Sequence, residues 1–413
     1  MFESPLAAGI EATLQTPAYG GARVLPFSWQ GFASRVENGS NVISTLGAEF
    51  DGMSVKRVML VSSARAFASD AGRRIVNALG SRLVEQFTAV PSHSSEEAVR
   101  LGVECARDQR IDGLVALGGG SVSDTAKAIT IVLAEGGKIA DHANIFYPPD
   151  GYVQKRLDKP KLPIIAIPTT ASAAEVTPGL GIRAYDGHKM VFWDAHVVPR
   201  LILLDSEAFL ETPVEVMAST AMNAFAHCVE GLYSRVSNPI SSAIALQAAR
   251  MLCDSIPAMV GASGNQEHRN TVMLGAHMSG QVISNARVGL HHAICHGLGS
   301  LGGLAHGDAN AIMLPHVVRY NRDAAASQLA GLADALGEDT RHLGAGNAAE
   351  RAVKRIASLQ SDAGVPTRLR DVGFDRSLIT PIADMTLADR GSYFNPVVAP
   401  PKADIEAIIG AAW

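Results

Sequence analysis

LVALGGGSVSDTAKAI, residues 114–129, is the stretch that decides how the first half of this chain folds. An apolar run ends in three glycines, and a helical pattern follows it directly. Glycines at the end of a buried strand let a ligand approach the backbone, and the next helix directs its free N–H groups and positive end at the same spot. We therefore predict that Gly119, Gly120 and Ser121 form a diphosphate site, although the usual GxGxxG fingerprint is absent.

Strand-like and helical patterns alternate on both sides of this stretch. Apolar runs typical of buried strands occupy residues 55–63, 84–90, 163–170 and 200–205, and helical spacing occupies residues 69–83 and 95–109. This alternation is typical of βαβ units and predicts a mostly parallel sheet covered by helices on both faces. The predicted fold class of residues 36–205 is an α/β dinucleotide-binding domain.

The two ends of the chain have different patterns. Residues 206–413 show helical periodicity and almost no strand signal, which predicts an all-α C-terminal domain. Residues 1–35 are rich in Gly, Pro and Ala, and we expect an N-terminal extension that wraps the body or a partner subunit. A cleft between the two domains is the natural place for a ligand.

The composition argues against several classes of protein. Apolar residues make up 47% of the chain and charged residues 18%, so the chain can bury large cores and is not disordered. The net charge is −5 and no basic stripe is interleaved with aromatic residues, which argues against a nucleic-acid partner. We expect neither a secretory signal nor a membrane span. The cysteines lack CxxC spacing, which predicts reduced thiols and a cytoplasmic location; they are Cys105, Cys228, Cys253 and Cys295.

A hydroxyl-rich segment, PTTASAAEVT (168–177), follows the next predicted strand. Ligands of open α/β sheets bind at this carboxyl edge of the strands. Thr169 and Thr170 are therefore candidates to contact a cofactor through hydroxyl and backbone groups. A hydroxyl-rich loop that binds nothing is the alternative, and the segment alone does not separate the two.

The helical half contains a constellation of histidines. His292 and His296 are four positions apart and share one face of a predicted helix, and His306 follows beyond a glycine-rich turn. Upstream, Asn223 and His227 have the same spacing on another predicted helix. Such pairs on two helices are a usual way to build a metal site in a helical domain. His316 is expected to cap or pack a helix, and His291 to point off the face that His292 and His296 share. Five further histidines are interpreted as surface or core residues: His93, His142, His188, His196 and His268.

These motifs together resemble the iron-containing, or group III, alcohol dehydrogenases. The resemblance spans Val55 to Asn321 and is carried by GGGSVSDTAKA, PTTASAAEVT, NAFAHCVEGLY and HHAICHGLG…HGDANAIMLPHVVRYN. It implies the architecture shared with dehydroquinate synthases, in which the active site lies between an α/β dinucleotide domain and a helical domain. It also implies a soluble NAD(P)-dependent oxidoreductase that forms a homodimer or a larger homo-oligomer.

The resemblance further implies a set of active-site residues. An Asp and a His at i and i+4, followed by two more histidines, hold the metal in this family. The matching positions are Asn223, His227, His292 and His306, and the family histidine near the nicotinamide matches His296. Asn223 departs from the pattern, because a neutral amide brings no charge to offset Fe²⁺ or Zn²⁺.

This departure points to one branch of the family. NAxAHCVExLY is similar to maleylacetate reductases, which reduce the C=C bond of maleylacetate to 3-oxoadipate without a metal. Hydride addition to a conjugated alkene gives an enolate, which hydrogen bonds and a general acid can stabilise. We therefore predict reduction of a small carboxylate without a metal. The catalytic residues would be Asn223, His227, His292, His296 and His306, with the histidines binding substrate carboxylate or carbonyl oxygens and His296 donating the proton. Ser172-Ala173-Ala174-Glu175 departs from the small-Gly-Ser-Glu stretch that this family usually has after PTT.

The cofactor prediction includes both NADH and NADPH. At the end of the first predicted strand, Ser63 replaces the acidic residue that grips the ribose of NAD, and the nearby Arg65 tolerates the 2′-phosphate of NADP. Asp124 and Lys189 complete the predicted cofactor contacts.

Three other functions stay open at this point. The first is an alcohol dehydrogenase or aldehyde reductase that depends on Fe or Zn and uses the oxygen of Asn223 as a ligand. The second is a non-redox relative, similar to dehydroquinate synthases, that uses NAD⁺ catalytically. The third is a catalytically silent binding protein, and the retained histidines argue against it.

Overall fold

The computed structural model describes residues 26–149 and 151–413. Residues 1–25 of the predicted extension lie outside the described residues, and so does its predicted wrapping role. The strands are β1 (Arg35–Gly39), β2 (Val58–Ser62), β3 (Leu83–Phe87), β4 (Gly113–Gly118), β5 (Ile145–Tyr147), β6 (Gly151–Val153), β7 (Ile164–Pro168), β8 (Gly179–Arg183), β9 (Lys189–Trp193) and β10 (Leu201–Asp205). The helices are α1 (Leu46–Gly52), α2 (Ala64–Phe67), α3 (Asp70–Leu79), α4 (Glu96–Asp108), α5 (Gly120–Glu135), α6 (Val214–Tyr233), α7 (Pro239–Gly261), α8 (Gln266–Ala286), α9 (Leu290–Ser300), α10 (His306–Asn321), α11 (Ala326–Ala335), α12 (Ala345–Asp362), α13 (Ile379–Ala388) and α14 (Lys402–Ala411).

The main sheet has six strands in the order β1-β10-β7-β4-β2-β3, and every neighbouring pair is parallel. The residues of β2, β4, β7 and β10 are all buried, because helices cover both faces. The predicted fold class is therefore confirmed: a parallel sheet comes first, and in the described residues no strand follows β10. The division into domains at residue 205 stays a prediction.

Three elements escaped the sequence analysis. Strand β1 begins at Arg35, inside the predicted extension, and pairs with β10 at the sheet edge. The hairpins β5–β6 and β8–β9 are antiparallel and lie outside the main sheet. Gly179 and Gly181 weaken the strand pattern of β8, but a Cβ at Gly181 would lie 2.3 Å from Cε of Lys189. The glycine therefore makes room for the lysine stem on the neighbouring strand.

The second half is a helical assembly centred on α6, of which almost every residue after its first turn is buried. Helix α7 is long and apolar enough to cross a membrane, with a mean hydropathy of 1.2 over its most apolar 18 residues. It packs against α6, α8 and α11 in the same core, and 44% of that stretch is buried. Length and apolarity of α7 are therefore explained by its place among these helices.

Candidate active site

The turn between β4 and α5 has the features of an anion-binding site. Gly119 is the N-cap of α5, and no side chain caps the free N–H groups of the first turn. A Cβ at Gly119 would lie 2.8 Å from Oγ1 of Thr170, and one at Gly120 would lie 3.3 Å from Oγ of Ser172. The loop after β7 thus packs closely against both glycines, and the uncapped N–H groups at the positive end of the helix remain available to a diphosphate. These residues fit the nicotinamide dinucleotide that the sequence predicts.

Two charged side chains on α5 connect the helix after this turn to β8 and to the loop after β7. Gly181 of β8 donates its backbone N–H to Oδ2 of Asp124 over 3.0 Å. The buried Nζ of Lys127 donates to the carbonyl oxygens of Ala174 and Thr177 over 2.5 and 2.6 Å. Burial raises the pKa of Asp124 and lowers the pKa of Lys127 to about 8. Asp124 holds β8 beside the cofactor turn, and its predicted contact with the cofactor stays a prediction.

The other predicted cofactor residues lie around the same edge of the sheet. The N–H of Thr169 donates to the carbonyl of Gly118 over 3.0 Å, so the threonines follow β7 directly beside the glycine turn. The Oγ of Ser63 accepts the N–H of Ala66 and so caps α2. Lys189 is exposed on β9 and close enough to interact with the charges of Asp124 and Asp389. Lys189 therefore lies between the cofactor turn and the helical half.

The loop after β7 connects the sheet edge to α6. Thr220 of α6 accepts the backbone N–H of Ala171 over 3.2 Å, and Nδ2 of Asn223 lies 3.5 Å from the carbonyl oxygen of Ser172. The hydroxyl of Thr212 donates to the carbonyl of Thr169 over 2.8 Å. These contacts place the predicted cofactor loop against the helix that carries the first histidine.

The structure brings the predicted histidines together. The rings of His227 on α6 and His292 on α9 are stacked, with centroids 4.8 Å apart. The ring of His306, at the start of α10, has its centroid 5.9 Å from that of His292 and 6.0 Å from that of His296. His292 is buried, His296 is half-buried and His306 is exposed. Three helices thus contribute imidazoles to one site that opens at His306.

Behind His292 lies a buried carboxylate that the sequence analysis missed. Oε1 of Glu230 accepts the backbone N–H groups of Gly289 and His291, each over 2.9 Å, and Oε2 accepts Nδ1–H of His292. Although burial opposes it, the neighbouring His292 and His291 lower the pKa of Glu230, so the carboxylate is ionised. Glu230 follows His227 by three positions and Asn223 by seven, so helical spacing alone would have found it.

His291 supports the same network instead of facing the site. Its Nε2 donates to the carbonyl oxygen of Asn310 over 2.9 Å. Although burial opposes it, the nearby Cys295 and Glu230 raise the pKa of His291 well above its ordinary value. The sequence predicted that His291 points off the face shared by His292 and His296, and in the structure its ring bonds to Asn310 of α10.

The amide of Asn223 lies against His292. Nε2 of His292 is 3.1 Å from Oδ1 of Asn223. Burial lowers the pKa of His292 to about 4 and Glu230 holds its Nδ1 proton, so Nε2 carries a lone pair at neutral pH. If the side-chain amide of Asn223 is flipped, its Nδ2–H group can donate a hydrogen bond to that lone pair. A carboxylate at the same position has no proton to donate. Asn223 can therefore hydrogen-bond to His292 without a metal cation between them.

His227 has the same protonation pattern. The hydroxyl of Ser279 donates to the carbonyl oxygen of Ala276 over 2.8 Å, so its oxygen accepts Nδ1–H of His227 over 3.3 Å. Burial and the nearby His292 lower the pKa of His227 well below its ordinary value. His227 is therefore neutral, and its Nε2 is left with a lone pair.

His296 has a partner that no sequence motif indicated. Its Nδ1 lies 2.7 Å from Oδ2 of Asp389, and Oδ1 of Asp389 accepts the N–H of Gly391 over 2.7 Å. Although burial opposes it, the neighbouring His296 lowers the pKa of Asp389. The ionised carboxylate accepts Nδ1–H of His296, which leaves Nε2 as the atom that exchanges protons with a substrate.

The residues that the resemblance implies for a metal are Asn223, His227, His292 and His306. All four are neutral ligands, and none offsets the charge of Fe²⁺ or Zn²⁺. Among the described residues, the acidic and imidazole ligand atoms that lie within 4.8 Å of one another belong to Glu230, His291 and His292, not to the implied set. Both oxygens of Glu230 already accept hydrogen bonds. The implied set therefore lacks the anionic ligand that the resemblance implies, although three imidazoles can hold Zn²⁺ by themselves.

Comparison with known proteins agrees with this architecture. The family model for "Iron-containing alcohol dehydrogenase" matches residues 33–206, and the model for "Fe-containing alcohol dehydrogenase family, C-terminal" matches residues 217–413. The chain is 32% identical to 1,3-propanediol dehydrogenase of Citrobacter freundii over 87% of its own length and 92% of that protein. It is 30% identical to maleylacetate reductase of Burkholderia cepacia over 90% of its length and 93% of that protein. The solved structure of a 1,3-propanediol oxidoreductase superposes with a TM-score of 0.88 at 30% identity, covering 94% of this chain and 100% of that one.

Fold, site and relatives define the protein as an oxidoreductase. The chain belongs to the iron-containing alcohol dehydrogenase family, whose enzymes use NAD(P) and often iron.

Proposed function

We propose that this protein is a metal-independent, NAD(P)H-dependent reductase of a conjugated C=C bond in a small carboxylate, with maleylacetate as the model substrate and 3-oxoadipate as the product. The observation that carries the proposal is the contact between Asn223 and Nε2 of His292. It replaces the anionic metal ligand of the family by a neutral group that can hydrogen-bond to the imidazole directly.

The chemistry of the proposed reaction sets the tasks of the residues. Bound NAD(P)H would supply the hydride, which forms a C–H bond at the alkene carbon remote from the ketone while the π electrons move onto the ketone oxygen as an enolate. The chain must then stabilise that oxygen and deliver one proton to the neighbouring carbon. The amide N–H of Asn223 and a protonated His296 are suited to these two tasks.

The His296–Asp389 pair supports proton delivery. A carboxylate on Nδ1 fixes the ring and stabilises the imidazolium form, as in other acid–base pairs of this kind. After Nε2 has given its proton to the enolate carbon, the neutral ring keeps Nδ1–H on Asp389 and can take the next proton from solvent, because His296 is half-buried.

The proposal is tested by following NADH and NADPH oxidation with maleylacetate before and after exhaustive chelation, together with metal analysis of the same sample. Full activity of metal-free protein and one 3-oxoadipate formed for each cofactor oxidised is the expected result. Loss of activity on chelation that Fe²⁺ or Zn²⁺ restores contradicts metal independence. Absence of turnover with maleylacetate, when a simple aldehyde is reduced, contradicts the substrate class.

A second candidate is a metal-dependent alcohol dehydrogenase or aldehyde reductase. Its support is the tautomer of His227 and His292, since both hold their proton on Nδ1 and present a lone pair on Nε2, as metal ligands do. The relationship to 1,3-propanediol dehydrogenase also supports it. The chelation experiment separates the two candidates.

The proposal includes a cytoplasmic location. All four cysteines of the described structure are free thiols, and three of them, Cys228, Cys253 and Cys295, are buried. This pattern is usual for proteins of reducing compartments.

A further inference from the structure

Two arginines flank the histidine site and stack on aromatic rings. The guanidinium carbon of Arg287, directly after α8, lies 3.7 Å from the ring centroid of Trp193 on β9. The guanidinium carbon of Arg390 lies 3.5 Å from the ring centroid of Tyr152 on β6. Both arginines are half-buried. The aromatic rings hold the planes of the guanidinium groups but leave their N–H donors for other partners.

Neither arginine has a carboxylate partner among residues 26–149 and 151–413. The ion pairs in this part of the chain all involve other residues. The guanidinium of Arg287 donates to the carbonyl oxygen of Ser284 over 3.4 Å, and that of Arg390 hydrogen-bonds to the side chain of Tyr152. Arg74 shows the usual arrangement, in which two guanidinium nitrogens meet both oxygens of the buried Asp205. Two partly desolvated cations without an anion are costly, and an anionic ligand would relieve that cost.

The two cations also act on each other. Loss of solvent, and then the charge of Arg390, lower the pKa of Arg287 to about 10. The guanidinium groups are therefore near neighbours that still carry charge at neutral pH. Their arrangement suits a ligand with one carboxylate bound by both arginines, or with two carboxylates.

Both arginines are joined to the catalytic network by the backbone. Arg390 directly follows Asp389, which holds Nδ1 of His296. Arg287 precedes Gly289, whose N–H donates to Glu230 behind His292. The two segments touch, since a Cβ at Gly391 would lie 2.9 Å from the carbonyl oxygen of Gly289. An anion between the arginines would therefore lie beside the histidines.

The backbone of Arg287 is unusual for a side chain of this size. Its φ is +64° and its ψ is 164°, a region that is almost confined to glycine. The chain keeps an arginine where glycine would be unstrained. Strain of this kind is found at ligand sites, where the surrounding structure holds it in place.

We propose that Arg287 and Arg390 form a carboxylate-binding subsite that holds the substrate next to His296. This inference rests on the proposed function and deepens it, because it assigns the recognition of the substrate's carboxylate groups to two residues. Lys189 is a third cation close enough to act on the charge of Asp389, beside Arg390.

The same guanidinium chemistry would also bind the 2′-phosphate of NADPH, so the experiment has two arms. Calorimetric titration of the full-length protein with maleate in the presence of NAD⁺ measures carboxylate binding without turnover. Titration with NADH and with NADPH measures the contribution of the 2′-phosphate. The variants are Arg287→Gln and Arg390→Gln, with Arg287→Lys and Arg390→Lys as versions that keep the charge.

A matched control exists in the same chain. The guanidinium carbon of Arg376 lies 4.8 Å from the ring centroid of Trp413, and Arg376 is exposed. Arg376→Gln therefore removes the same chemical group from an aromatic ring that is not part of the subsite. Thermal unfolding of each variant shows whether it is folded before binding is measured.

We expect each Gln variant to bind maleate at least about tenfold more weakly than wild type, while the Lys variants lose less and Arg376→Gln loses nothing. Unchanged maleate affinity in both Gln variants, or no maleate binding by wild type, overturns the subsite. An effect confined to NADPH overturns it as well and assigns the arginines to the cofactor phosphate.

Different experimental outcomes reject the subsite and the proposed reaction. Arginine-dependent maleate binding without maleylacetate reduction supports the subsite and rejects the reaction. Normal kcat/KM for maleylacetate in both Gln variants rejects the subsite and leaves the reaction intact.

Discussion

Asp389 accepts a hydrogen bond from Nδ1 of His296 over 2.7 Å, although 93 residues separate the two in the chain. The carboxylate fixes the tautomer of the imidazole and lowers the free energy of its protonated form. His296 is thus prepared to act as an acid from Nε2, and Asp389 serves as its positioning residue.

The first prediction concerns this pair. Asp389→Asn removes the charge but keeps the size, and we expect kcat to fall on the order of 10²-fold with a smaller change in KM, because general acid catalysis contributes that much or more. Asp384→Asn on α13 is the control, because it removes an exposed carboxylate that is paired with Lys402. Wild-type kcat in Asp389→Asn would disprove the role of the pair.

The second prediction concerns the missing anionic ligand. Asn223→Asp places a carboxylate against the lone pair of His292, so the metal-free variant should unfold at a lower temperature than wild type. The same variant should bind Zn²⁺ at least about tenfold more tightly, equivalent to ~1.4 kcal/mol. Thermal unfolding with Zn²⁺ and with chelator measures both effects. Asn347→Asp, an exposed position on α12, controls for added charge. Equal Zn²⁺ affinity in wild type and Asn223→Asp would contradict the argument from charge.

The third prediction is a pH dependence of stability from Glu175. Burial raises the pKa of Glu175 from 4.5 to about 7, and its Oε2 has no hydrogen-bond partner in the described residues. The folded state therefore binds more protons than the unfolded state between these values, so stability is lost as the pH rises through this window. Glu175→Gln removes the effect and should gain ~1–3 kcal/mol over wild type between pH 5 and pH 8.

The difference in Tm between Glu175→Gln and wild type at pH 5 and pH 8 measures this effect. Glu267→Gln changes an exposed carboxyl and should show no such trend. A Tm difference for Glu175→Gln that is constant with pH would show that the carboxyl is not protonated in the folded state.

The fourth prediction concerns the backbone of Arg287. Arg287→Gly and Arg287→Ala both remove the guanidinium, but only glycine relieves a φ of +64°. The Gly variant should therefore be more stable than the Ala variant by ~1–3 kcal/mol. Arg250 is exposed in the middle of α7 and provides the control. There we expect the Gly variant to be less stable than the Ala variant by ~1 kcal/mol, because glycine is unfavourable inside a helix. Equal stability of the two Arg287 variants would remove the evidence for strain.

The fifth prediction concerns the cofactor turn. In Gly119→Ala the new Cβ meets Oγ1 of Thr170 at 2.8 Å, so one of the two must shift at the place where the diphosphate is predicted. We expect the Kd for NADH to rise about tenfold, or ~1.4 kcal/mol, as measured by calorimetry. Gly346→Ala, on α12 with no atom within 4 Å of the new Cβ, should leave the Kd unchanged. Unchanged NADH affinity in Gly119→Ala would argue against a diphosphate at this turn.

The sequence was sufficient for the parallel sheet, the helical second half and the family. Buried parallel strands are continuous apolar runs and the helices between them have their own period, so both can be recognised locally. Asn223, His227, His292 and His296 were recognisable for the same reason, because spacing of four positions places pairs on one helix face. The hairpins and β1 were missed because short strands with glycines, or at a sheet edge, carry little local signal.

By itself, the sequence determined which side chains are available and which of them share a helix face. The packed structure is needed to see that Asp389 is the partner of His296 and that both oxygens of Glu230 accept hydrogen bonds behind His292. It also shows that Arg287 and Arg390 are close enough for their charges to interact, without a carboxylate partner in the described part of the chain. Such contacts join residues that are distant in the chain, and their energies depend on burial and on charges from several elements. Local periodicity contains no information on either quantity, so these relationships first appear when the helices and hairpins are packed together.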